Sequence, residues 1–133
     1  MRIEKVEHVG IAVKNLDESL KFYTDILGVK KSDITEMGVP NVMRIATVKV
    51  PGANLELVQY LNEKEVLAKF GNPAADSIHH VALNVDNIVE TLAAVKKQGG
   101  TLIHEKPLQL PGGRQIAFAL PRNSHVLIEF MEG

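Results

Sequence analysis

The chain says nearly the same thing twice. The stretch HVGIAVKNLDESLKFYTDILG, from His8 to Gly28, returns 72 positions later as HVALNVDNIVETLAAVKKQGG, from His80 to Gly100. Seven of the 21 aligned positions are identical: His8/His80, Val9/Val81, Val13/Val85, Asn15/Asn87, Glu18/Glu90, Leu20/Leu92 and Gly28/Gly100. A repeat of this kind means one supersecondary unit built twice. It also turns a lone histidine, ordinarily a structural residue, into a pair of equivalent ones.

At 133 residues the chain has the size of one ordinary domain. It reads as a single domain over 1–133, with module one at about 1–60, a polar linker at about 61–77 and module two at about 78–133. Each module alone is close to the lower limit of independent stability, so the two are expected to share a core. Fifteen basic residues against sixteen acidic ones leave no net field to draw in nucleic acid or a membrane surface. No apolar run is long enough to cross a bilayer, and MRIEKVEH lacks the apolar core of a signal peptide. A cytoplasmic location is the resulting expectation. Cysteine is absent, which excludes thiolate nucleophiles and sulfur-ligated metals.

Local patterning predicts the order of elements. Residues 3–13 alternate as a strand, with Val9, Ile11 and Val13 on one face and His8, Gly10 and Ala12 on the other. Asn15 followed by Glu18 is a helix start, repeated by Asn87 and Glu90. Leu16, Leu20, Tyr23 and Leu27 form the expected buried stripe of the first helix, Leu92 and Val95 that of the second. Strands are expected near 29–36, 42–50 and 54–60, then near 101–105, 115–120 and 126–131, with a short helix near 63–70. Each module therefore reads βαβββ, an α+β fold whose two small sheets are expected to form a shared concave face.

Strand parity singles out the chemistry. His8 and His80 point away from the helix-packed side, whereas His79 does not. In Leu55-Glu56-Leu57 and Ile128-Glu129-Phe130 a carboxylate is flanked by apolar residues, so Glu56 and Glu129 turn to the histidine face. The intervals agree, 48 residues from His8 to Glu56 and 49 from His80 to Glu129. Two imidazoles and two carboxylates suit Zn, Fe, Co, Ni or Mn. Four ligands on an octahedral ion leave two positions open for substrate oxygens. His104 and His125 have no counterparts in module one and read as residues on surfaces or near turns. Gly112-Gly113-Arg114 reads as a hairpin turn, since it lacks the length and Lys-Ser/Thr ending of a phosphate loop.

Paired βαβββ modules with these residues resemble the vicinal oxygen chelate superfamily, the glyoxalase/bleomycin resistance/dioxygenase group. The resemblance is carried by HVGIAVKNLDESLKFYTDILG, IHHVALNVDNI and VLIEF and spans essentially the whole chain. Within the group, Ala68-Lys69-Phe70, LIHEKP at 102–107 and GGRQIAF at 112–118 are most similar to methylmalonyl-CoA epimerase. The resemblance implies a divalent metal on His8, Glu56, His80 and Glu129, and an isomerase that abstracts a proton next to a carbonyl. It implies Glu129 as one acid–base group and Glu36, in EMGV, as a second. It also implies a homodimer acting on a small molecule, either an acyl-CoA thioester or the hemithioacetal of a thiol. The epimerase often carries glutamine at the position of Glu56, and glyoxalase I carries glutamate. The chain departs from the epimerase at Leu120-Pro121-Arg122 and Asn123-Ser124-His125, where that group has His-Pro-Lys and a Gly-Gly pair. The alternatives are a glyoxalase I-like lactoylglutathione lyase and a non-catalytic drug or metabolite binding protein of the same fold.

Overall fold

Asn15 and Asn87 each start a helix, and in the same way. The side-chain oxygen of Asn15 accepts the N–H of Glu18 at 3.0 Å, and that of Asn87 accepts the N–H of Glu90 at 3.0 Å. Each asparagine keeps an extended backbone while satisfying one of the N–H groups that a helix start leaves free. The helices are α1 (Leu16–Lys21) and α2 (Ile88–Lys97). The computed structural model describes residues 1–62, 64 and 76–133. The helix expected near 63–70 and the Ala68-Lys69-Phe70 run fall, apart from residue 64, outside the described residues. No described helix is long and apolar enough to cross a membrane.

Nine strands accompany them among the described residues: β1 (Ile3–Ala12), β2 (Ile34–Val39), β3 (Met43–Val48), β4 (Asn54–Tyr60), β5 (Ser77–Val85), β6 (Thr101–Leu102), β7 (Leu108–Gln109), β8 (Gln115–Leu120) and β9 (Leu127–Glu132). The fold is α+β, and the chain divides into two compact units, His8–His79 and Met1–Glu7 with His80–Gly133. The partition departs from the expected module boundary at the N-terminus. The N–H of Asp86 donates to the carbonyl of Arg2 at 3.1 Å, and the N–H of Arg2 donates to the Asp86 carboxylate at 2.6 Å. These bonds tie the start of β1 to the second module.

In the unit His8–His79 the strands run β2-β3-β4-β1. β2–β3 and β3–β4 are antiparallel hairpin pairs, and β4 lies parallel to β1. Val13, Leu16, Ala46, Val48 and Leu57 are buried beneath α1, with Ile11, Leu20, Tyr23 and Leu55 packed around them. The expected stripe breaks at one place. After Lys21 the helix widens into a π-type turn, Phe22–Ile26, in which the Leu27 N–H reaches back to the Phe22 carbonyl at 3.1 Å. The extra residue in that turn rotates the chain beyond it, so Leu27 is 58% exposed. Val29 joins the core instead.

In the other unit β5 lies parallel to β9, and β8 lies antiparallel to β9 and also pairs with β6 and β7. Val85, Ile88, Leu92, Ala117, Ala119 and Phe130 form its core under α2. Each unit has its own apolar cluster among the described residues. The strand expected at 101–105 stops at Leu102. The imidazole Nδ1 of His104 accepts the Phe118 N–H at 3.0 Å, taking the place of a ladder partner on the edge of β8. Leu110 and Arg114 close the β7–β8 hairpin, with the Leu110 N–H donating to the Arg114 carbonyl at 2.7 Å. Gly112 and Gly113 take φ of 86° and 89° in that turn, a backbone that glycine adopts without steric cost.

Candidate active site

The core requirement on β1 and β4 aims the first pair of polar groups. Ile11 and Leu57 stand opposite each other in the parallel ladder and pack under α1. Alternation then sends His8, Gly10 and Glu56 to the other face, with Gly10 beside Glu56. His8 Nε2 lies 3.4 Å from Glu56 Oε2, and the two side chains are 6% and 22% exposed.

The second unit repeats the arrangement in the same register. Leu83 beside Phe130 packs under α2, and Ala82, the equivalent of Gly10, stands beside Glu129. His80 Nε2 lies 3.4 Å from Glu129 Oε1, with side chains 4% and 7% exposed. Phe118, the cross-strand partner of Glu129, meets the His80 ring edge-on at 5.5 Å between centroids. His79 belongs to the other unit. Its ring lies 5.5 Å from that of Tyr60, and its Nε2 is 3.5 Å from the Tyr60 hydroxyl.

The chemistry of each pair fits a cation. Ligand bonds of roughly 2.1 Å put neighbouring donors of an octahedral or tetrahedral ion about 3.0–3.4 Å apart, which is the spacing of both pairs. It is longer than the usual imidazole–carboxylate hydrogen bond of about 2.7–3.2 Å. A carboxylate buried like Glu129 carries a desolvation cost that a divalent ion offsets well. The donors are nitrogen and oxygen only, a set that suits Zn, Fe, Co, Ni or Mn rather than a soft ion.

Glu36 is not brought to either pair. Ladder pairing places it opposite Ala46, which stands opposite Leu57, so it lies on the helix-covered face. There its carboxylate meets the Arg44 guanidinium at 3.2 Å, and the same guanidinium meets Asp17 at 3.0 Å. Arg44 holds the Asp17 carboxyl below its ordinary value, and Asp17, with Glu36 adding less, raises the guanidinium in return. Glu36 has the parity of Ala46 and Leu57.

His104, read from local pattern as lying on a surface or near a turn, has a defined place in the structure. It is half-buried, its ring lies 5.8 Å from that of Phe118, and its Nδ1 is engaged by the backbone. Burial pushes its pKa below the ordinary histidine value, against the opposing charge of Glu129. The repeat holds no signal for it, because the equivalent position in module one is Ser32. His125 is exposed. Arg114 forms an ion pair with Glu7 at 3.8 Å and approaches the Met131 sulfur at 3.7 Å.

Comparison with known proteins places this geometry in a family context. The model of the glyoxalase/bleomycin resistance protein/dioxygenase superfamily matches residues 7–118. The hypothetical protein BH1468 from Bacillus halodurans C-125 superposes with a TM-score of 0.77 at 34% identity, covering 97% of this chain and 94% of that one. The methylmalonyl-CoA epimerase from Mycobacterium tuberculosis superposes with a TM-score of 0.78 at 30% identity, covering 98% of this chain and 88% of that one. The mitochondrial methylmalonyl-CoA epimerase of Dictyostelium discoideum is 29% identical, over 98% of this chain and 79% of that protein.

Proposed function

The chain belongs to the glyoxalase/bleomycin resistance protein/dioxygenase superfamily, and from that premise we propose that it is a divalent-metal-dependent isomerase moving a proton at a carbon next to a carbonyl. The observation that carries this reading is the matched register, Gly10 beside Glu56 and Ala82 beside Glu129, each with its histidine 3.4 Å from the carboxylate. His8, Glu56, His80 and Glu129 would together hold one ion of Co, Zn, Ni, Mn or Fe. When bound, that ion supplies Lewis-acid polarisation of the substrate carbonyl.

The carboxylates supply the proton traffic. Glu129 would take the proton from the carbon, its burial keeping water from competing for it. Inverting a centre needs a proton delivered from the opposite side, and Glu56 is the second carboxylate with suitable parity, in place of Glu36. A small acyl thioester is the proposed substrate class, with methylmalonyl-CoA the first candidate by likeness to the epimerases. The test is methylmalonyl-CoA in deuterated water with metal-loaded protein. Deuterium entering the α-carbon supports the epimerase; no wash-in rejects it.

One observation favours a second reading within the same chemistry. The carboxylate that the epimerase resemblance gave as the second acid–base group, Glu36, is paired with Arg44, whereas Glu56 by itself fits both readings. Turnover of methylglyoxal with a thiol, without exchange on methylmalonyl-CoA, would replace the epimerase reading by the lyase.

A further inference from the structure

The sheet face that carries Glu56 also carries a wall of apolar side chains, and strand pairing fixes where it begins, past two threonines. Beside Glu56 stands Thr47, and beside Thr47 stands Thr35. One step along, Ile45 lies between Val58 and Met37; one step further, Met43 lies between Tyr60 and Val39. The charges of β2 and β3, Glu36 and Arg44, fall on the opposite face and pair with each other. Met37 is 64% exposed and Val39 47% exposed. Single exposed apolar residues are ordinary, but a row of cross-strand neighbours that begins one step from the half-buried Glu56 marks a binding surface.

Resting on the isomerase reading above, we infer that this wall receives an uncharged, apolar substituent of the reacting carbon. Glu56 is the only acid that β2, β3 and β4 present to this face. An alkyl group laid against Ile45 and Met37 loses apolar surface to water, and each added methylene is worth about fourfold in affinity. A carboxylate laid against Ile45 and Met37, away from the donor pair, would lose hydration and meet no Lys, Arg or His side chain on this face of the three strands. The wall therefore selects against substrates that are charged at this substituent, whatever lies at the donor pair.

The probes are N-acetylcysteamine thioesters of acids bearing methyl, ethyl, propyl or carboxymethyl at the α-carbon. Each is titrated into metal-loaded protein by calorimetry, and α-proton exchange is followed separately by NMR in deuterated water. Affinity is expected to rise about fourfold per methylene from methyl to propyl, with carboxymethyl at least about tenfold weaker than propyl. Met37→Lys, at an exposed position, should flatten the alkyl series and recover carboxymethyl binding. Ile45→Val, which keeps the fold, should trim the gain at propyl. Equal affinity across the series, tightest binding of carboxymethyl, or a series unmoved by Met37→Lys overturns the inference. Exchange without alkyl preference sinks the wall alone. Alkyl preference without exchange supports the wall and sinks the isomerase. No binding of any member sinks both.

Discussion

His80 Nε2 stands 3.4 Å from Glu129 Oε1, on different strands and almost sealed from water. Protein purified from metal-supplemented cells is therefore expected to carry one divalent ion per chain by elemental analysis. His80→Ala should lower metal affinity by more than the roughly 10- to 100-fold that loss of an outer-shell partner costs. Full metal content in that variant would remove His80 from the ligand set.

Metal binding should also show in stability. Ligand at a hundredfold excess over Kd adds about 2.7 kcal/mol to a native state that alone binds it. Chelator should lower Tm by several degrees and added metal should restore it, while Glu129→Gln should lose this response. An unchanged melting curve with and without chelator would count against the centre.

Glu36→Gln is expected to leave α-proton exchange within about twofold of the parent, since its carboxylate faces Arg44 and surface ion pairs contribute little. Glu56→Gln should change exchange much more. A large loss in Glu36→Gln with an unaltered fold would return Glu36 to the chemistry.

His104 gives a pH signature. Its folded pKa lies below the ordinary 6.5 because burial disfavours the charged ring. As pH falls through 6.5 towards the folded value, the unfolded chain binds the proton first, so His104's contribution is present above 6.5 and lost on acidification. Urea unfolding between pH 5 and pH 8 should show a flatter dependence for His104→Asn than for the parent. Parallel curves would show that His104 does not report on stability.

The two caps test the duplication energetically. Asn15→Ala and Asn87→Ala each remove one bond to a helix N–H, so each should cost about 1 kcal/mol in denaturant unfolding. Substituting Ser at either position should recover most of it.

Much of the fold and of the candidate site is legible in local pattern. Asn15 and Asn87 cap helices because the capping bond joins residues three apart, which a sequence displays directly. Strand β8 occupies the expected 115–120, and alternation in β1 and β4 separates His8 and Glu56 from Ile11 and Leu57. Where neighbours in space are distant in sequence, the pattern is silent. Leu27 has the spacing of a core residue, but the helix widens after Lys21 and turns it outward. His104 has no counterpart in module one, and nothing local shows that it caps the Phe118 N–H.

By itself the sequence determined the duplicated modules, the family and the four residues with matching parity, because periodicity and repetition are properties of neighbours along the chain. Tertiary structure alone decided the face on which Glu36 falls and the grouping of Met1–Glu7 with the second module. It also decided the apolar wall beside Glu56. Those depend on which strand lies beside which and in what register, and register is set by side chains meeting across the sheet.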